Sequence, residues 1–136
     1  MGSAAENKSL LQGLLAETAK GNGRPFIEAM AQDVTWTIIG DTDWSRTYAG
    51  KPAVMSDLLI PLGANFEGGN LFEGVRFIAE DDLVVVEARN HSVTKAGAQY
   101  PQRYAMIFRL RDGQIAEITE YADTELMTRV LSVTAA

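Results

Sequence analysis

The sequence predicts an α+β fold, with helices first and a mostly antiparallel sheet after them. Three observations predict it. Apolar residues recur at helical spacing in the first quarter of the chain, β-branched and aromatic runs dominate the rest, and the connections between those runs are short and turn-like. A chain built this way buries both kinds of element by packing its helices on one face of the sheet.

Glu6 to Lys20 places Leu10, Leu11, Leu14, Leu15 and Thr18 at helical spacing, and Gly21-Asn22-Gly23 ends that helix. Arg24 to Ala31 reads as a short second helix, with Pro25 in the first turn where a missing N–H is harmless. Val34 to Ile39 is β-branched and aromatic and reads as the first strand, closed by Gly40 to Asp43. Gly50-Lys51-Pro52 opens a third helix with Val54, Met55, Leu58, Leu59 and Leu62 on its apolar side. Four more strands are expected, at roughly Asn65 to Ala79, Leu83 to Lys95, Gln102 to Arg111 and Gln114 to Asp123. Their connections are Glu80-Asp81-Asp82, Ala96-Gly97-Ala98 and Asp112-Gly113, the last a strong hairpin signal. A short helix from Thr124 to Leu131 closes the chain. There are no repeats, low-complexity tracts or proline-rich linkers, so residues 1–136 read as one domain.

Composition narrows the function. Zero cysteines exclude disulfides, thiol chemistry and cysteine-ligated metal sites, and a single histidine excludes sites that need two. Twelve basic against eighteen acidic residues give a net charge of −6, which argues against binding nucleic acid through its phosphates. The longest apolar runs are far short of a membrane span, and the first residues carry no basic region followed by an apolar stretch. The expected location is the cytoplasm, with no membrane partner. Asp41-x-Asp43 starts like a calcium loop, but Arg46 stands where that loop needs glycine. Neither a P-loop nor a Gly-x-Ser-x-Gly elbow is present. Neither a cofactor nor a metal is implied.

Two strands carry the candidate chemistry. Alternation along Leu83 to Lys95 puts Val84, Val86, Ala88, Asn90 and Ser92 on one face, and Val85, Glu87, Arg89, His91 and Val93 on the other. The plain reading of the second face is solvent, with its charges merely hydrated. The functional reading is a pocket in which His91 transfers protons and Arg89 is its electrostatic partner, since histidine titrates near neutral pH. On the last strand Glu120 lies between Ile118 and Ala122, an unusual place for an exposed acid. Burial there would raise its pKa. The plain alternative is a peripheral glutamate at the sheet end. Trp36, Tyr48 and Tyr104 lie near element ends, where a pocket mouth would be, and tyrosine hydroxyls can donate to a developing oxyanion.

The order of elements, Trp36 to Gly40, Tyr48 to Gly50 and the stretch YPQRYAMIFRLRDGQIAEITEYADTEL from Tyr100 to Leu126 together resemble the nuclear transport factor 2-like superfamily. The C-terminal stretch is similar to its ketosteroid isomerase-related, SnoaL-like branch, with Gln102 where that branch tends to have asparagine. The resemblance implies a cone: a strongly curved, mostly antiparallel sheet wrapped around N-terminal helices, a cystatin-like roll with an apolar pocket at its open end. It also implies homodimers packed through their sheets. In the epoxide hydrolase members, an Asp-Arg-Asp triad activates water, and the matching positions here are Arg89, His91 and Glu120. The arginine is kept, one carboxylate is lengthened and the other is replaced by histidine, which implies a charged, acid/base-capable pocket.

The expectation is therefore a cofactor-free acid/base enzyme, an isomerase, cyclase, dehydratase or hydrolase, acting on a small, largely apolar organic molecule. His91, Arg89 and Glu120 are its candidate catalytic residues, and Trp36, Tyr48 and Tyr104 its substrate-binding ones. The alternative is a non-catalytic ligand-binding or dimeric interaction module on the same fold. Convergence of His91, Arg89 and Glu120 on one cavity favours the enzyme, whereas His91 and Glu120 on opposite sheet faces defeat it.

Overall fold

The computed structural model describes residues 2–134. Helix α1 (Ala4–Thr18) begins at a capping box, in which Ser3 Oγ accepts from the Glu6 N–H and the Glu6 carboxylate accepts from the Ser3 N–H. It lays Leu11, Leu14 and Leu15 against β4 (Phe72–Glu80) and β5 (Leu83–Asn90). At its end Thr18 Oγ1 donates to the Phe72 carbonyl at 2.7 Å, which stitches helix to sheet. Helix α2 (Arg24–Ala29) has Pro25 in its first turn and runs straight into β1 (Met30–Ile38). The expected second helix therefore loses two residues to the sheet, where Met30 is registered with Ile115 and both Met30 and Ala31 are buried.

Strand β2 (Thr47–Ala49), which the sequence did not reveal, pairs antiparallel with β1. The third helical stretch, 51–63, is α3 (Lys51–Ala53), a π-helical segment (Val54–Leu59) and α4 (Ile60–Gly63). The Ile60 N–H reaches back to Met55, and Pro61 has no N–H to give at the next step, so the α ladder is interrupted there. Val54 and Leu58 still point into the core.

The main sheet has six strands in the order β2-β1-β9-β8-β5-β4, with β8 at Arg103–Arg111 and β9 at Gln114–Ala122. It is curved and unclosed. The expected meander is present in β4, β5, β8 and β9, all antiparallel neighbours. Pairing departs from it once: β1 lies parallel to β9, so the last strand sits inside the sheet, not at its edge. Asp112 and Gly113 join β8 to β9, both with positive φ (52° and 78°), as a two-residue turn matched to strand twist requires. A second sheet of three short strands, β3 (Phe66–Glu67), β6 (Ser92–Thr94) and β7 (Gln99–Tyr100), closes one end with α5 (Thr124–Val130).

The core fills the concave side. Phe26 packs against Trp36 and Phe108 with ring centroids 6.0 and 6.1 Å apart, beside Leu11, Leu15, Val84, Val86 and Ile118. A smaller cluster of Phe66, Tyr100 and Leu126 lies under the second sheet. No helix among the described residues is long and apolar enough to cross a membrane.

Candidate functional site

The curvature leaves a cavity of about 210 Å³ between the helices and the concave face. Its walls are mainly apolar: Leu15 from α1, Phe26 and Ile27 from α2, Leu58, Leu59 and Leu62 from the 51–63 helix, and Met106 and Phe108 from β8. Polar groups collect on one side, where Glu120, Tyr100, Tyr104 and Asn70 reach the same space. A mostly apolar hollow with a few convergent polar groups is the usual build of a small-molecule site.

Glu120 is there because β9 alternates. Ile118 and Glu120 face inward, while Glu117, Thr119 and Tyr121 face outward or are partly covered. Its side chain is only 7% exposed. Trp36 stands on neighbouring β1, registered with Ile118, and its Nε1 donates to Glu120 Oε1 at 3.1 Å. Burial pushes the Glu120 carboxyl up from an ordinary 4.5 to about 7, and the Trp36 hydrogen bond offsets part of that rise. A carboxyl group with this pKa is present in both forms at neutral pH. It can give or take a proton there.

The tyrosines are held from behind. Tyr104 stacks near Phe72, with centroids 4.8 Å apart, and its hydroxyl accepts from Asn90 Nδ2 at 3.1 Å. The Tyr100 hydroxyl accepts from Gln102 Nε2 at 3.0 Å. Burial raises both hydroxyls above the ordinary tyrosine pKa, so both stay protonated and able to donate across the neutral range.

Of the six expected site residues, Trp36, Tyr104 and Glu120 line the cavity. His91, Arg89 and Tyr48 do not. Along β5 the buried residues are Val84, Val86, Ala88 and Asn90, so the alternation places Glu87, Arg89 and then His91 on the outer face. His91 Nε2 lies 2.8 Å from Glu73 Oε1, with both side chains about half exposed. Arg89 is registered between Glu73 and Arg103 on the same outer face. The physical reason is desolvation: the interior is apolar, and three ionisable groups at alternate positions are far cheaper in water. Tyr48 is buried, but its hydroxyl donates to the Trp44 carbonyl at 2.7 Å and Arg46 covers its ring at 4.5 Å, so it is a packing residue. His91 and Glu120 stand on opposite faces, so His91, Arg89 and Glu120 do not form one site, and any acid/base chemistry in the cavity rests on Glu120.

Tyr100, Asn70, Asn90 and Gln102 also belong to the polar side and are not among the site residues expected from the sequence. A signal for Asn90 was available: the inward face of β5 changes from valine and alanine to asparagine and serine near its end. Asn90 stands behind the cavity wall, with its amide on the Tyr104 hydroxyl. Gln102 carried only the signal of standing between two tyrosines, and Asn70 none.

The model of the SnoaL-like domain matches residues 11–118. No curated protein matches the chain. Among solved structures, the chain is similar to an NTF2-like protein of Burkholderia thailandensis E264 at 18% identity and a TM-score of 0.77, over 91% of this chain and 95% of that one. It is also similar to a candidate SnoaL-like polyketide cyclase of Jannaschia sp. CCS1 at 18% identity and a TM-score of 0.73, covering 93% and 91% of the two chains. TerC, co-crystallised with polyporic acid, shares 19% identity and a TM-score of 0.76, over 91% and 96%. At these identities the likeness shows the fold.

Proposed function

The chain belongs to the SnoaL-like domain family, and from that premise we propose that its cavity binds a compact, largely apolar organic molecule on which Glu120 performs proton transfer without a cofactor. The observation that carries this reading is a single carboxyl group, buried in an apolar hollow, with its pKa raised to about 7. Enzymes use such a group as general acid or base because it works near its own pKa. The size of the cavity favours a ligand smaller than the drug-sized molecules that fill 300–1,000 Å³ sites. Two structures of the same fold, the candidate polyketide cyclase and TerC co-crystallised with polyporic acid, are named for small organic molecules, which is in keeping with this reading.

Trp36 makes the proposal testable before any substrate is known. Its indole N–H is bonded to the titrating carboxyl, so its fluorescence should change with pH around a midpoint near 7. Glu120→Gln should abolish that transition. The same variant should abolish turnover of any substrate found by screening small cyclic carbonyl compounds, while still binding it. A Glu120→Gln protein that turns such a substrate over at the original rate rejects the assignment.

The second reading is a non-catalytic ligand-binding module, and one observation favours it: among the described residues, the polar side of the cavity holds one acid and no basic side chain. Under that reading Glu120→Gln changes affinity and no turnover is found. In either case we propose a homodimer packed through the convex face of the sheet. Ile78, Val85 and Ile107 form one cross-strand row there, and Ile78, Val75 and Tyr121 are 57%, 52% and 45% exposed.

A further inference from the structure

The two tyrosine hydroxyls are set by carboxamides whose own orientations are fixed by backbone. Asn90 Oδ1 accepts from the Ser92 N–H at 2.8 Å, so its Nδ2 must point the other way. That nitrogen spends its two protons on Asn70 Oδ1 at 2.7 Å and the Tyr104 hydroxyl at 3.1 Å. Gln102, fully buried, repeats the arrangement. Its Oε1 accepts from the Arg103 and Asp123 N–H groups at 3.0 and 2.9 Å, and its Nε2 donates to the Asp123 carbonyl at 2.8 Å and the Tyr100 hydroxyl at 3.0 Å. Neither amide can turn over without losing backbone hydrogen bonds.

Counting protons gives the consequence. Each hydroxyl already accepts an N–H, so each has its own proton to donate. The two hydroxyls are neighbours, and one can donate to the other. At least one proton is then left for the cavity both residues line. That part of the wall therefore offers donors, and Glu120, held by Trp36, lies on the same polar side, near enough to raise both hydroxyls.

We propose that Asn90 and Gln102 are positioning residues that turn the Tyr104 and Tyr100 hydroxyls into hydrogen-bond donors toward the cavity, so that its ligand presents an acceptor-only oxygen, a carbonyl or an ether, to that wall. The inference rests on the cavity being a small-molecule site. It goes beyond that reading by giving the ligand's polar end a chemistry and a place. Gln102 and Asn90 do not line the cavity and act through the tyrosines.

Two probes of nearly equal shape test it: 2-tetralone, which carries a carbonyl, and tetralin, which does not. Trp36 and Trp44 line the cavity, so tryptophan fluorescence reads the binding of each. The wild-type protein should bind 2-tetralone about three- to tenfold more tightly than tetralin, the yield of one net hydrogen bond. Asn90→Asp and Gln102→Glu replace a donor nitrogen by oxygen at the same volume, and the two together should shrink that preference toward onefold while leaving tetralin affinity unchanged. A purely structural role would instead weaken both probes together. If a carboxylate at either position prevents folding, the Tyr100→Phe/Tyr104→Phe double variant keeps the rings and should likewise lose the preference. Equal binding of both probes by wild type, or a preference that survives loss of both hydroxyls, overturns the inference and leaves the cavity reading standing. Failure of both probes to bind overturns the cavity reading, and this inference with it.

Discussion

Glu120 carries a thermodynamic signature that needs no substrate. Its folded pKa of about 7 lies above the ordinary 4.5, so between those values the folded chain holds a proton that the unfolded chain has released. The stability this group contributes is full below about pH 4.5, falls through the interval and is gone above about pH 7. A shift of this size corresponds to a swing on the order of 3 kcal/mol. Urea denaturation from pH 4 to 8 should show that slope in the wild-type protein. In Glu120→Gln, whose side-chain oxygen can still accept from Trp36, the slope should be missing, and an unchanged one would mean that Glu120 is not the buried titrating group. Glu120 was legible in the sequence because an acid between Ile118 and Ala122 breaks an apolar alternation. His91 misled for the opposite reason. A lone histidine has attractive chemistry, but just past the end of β5 it continues the outer face of Glu87 and Arg89, and desolvation of three such groups outweighs any use for one of them.

At the scale of elements, the cavity is bounded by pieces that depend on one another. Helix α5 supplies Met127 to the cavity and Leu126 to the smaller core cluster, and it is started by Asp123, whose side chain accepts from the Leu126 N–H at 3.1 Å. Asp123→Ala should lower stability by about 1 kcal/mol, the usual worth of such a cap, as read by chemical denaturation. It should also weaken tetralin binding, since Met127 would no longer be held in the wall. No change in either measurement would show that Gln102, which grips the Asp123 backbone from both sides, suffices to seat the helix. Strand existence was legible from β-branched runs and turn residues, and strand parity was sorted correctly into two sets along Leu83 to Lys95. Which set faces inward follows from charge: Glu87 and Arg89 share a set with Val85, and desolvation sends that set to the outer face. The break at His91, where the chain leaves the main sheet for the second, was silent, because Asn90, His91 and Ser92 alternate as a continuous strand would.

For the whole molecule, the convex face is where a second copy would pack. Ile78→Lys places a charge in the Ile78, Val85 and Ile107 row and should shift the protein toward monomer in sedimentation experiments, with the melting temperature of the monomeric fold little altered because Ile78 is already 57% exposed. A variant that sediments as the wild type does would place any self-association elsewhere. The layout of helices before sheet was legible from patterning, since both periodicities are local. The parallel pairing of β1 with β9 was not, because two strands more than seventy residues apart leave no mark on each other's sequence. That pairing has a consequence for how the chain comes to be folded. The strand made last fills a central place, between the first strand and β8, and the Trp36–Glu120 contact spans 84 residues. A nascent chain still lacking β9 has β1 and β2 cut off from the rest of the sheet, with Trp36 and Val34 uncovered along one edge. The six-stranded sheet therefore cannot form before β9 is made, with the loop-closure cost of the longest contacts met before they stabilise anything. A truncation before Gln114 should therefore leave β1 and β2 without a partner in the rest of the main sheet.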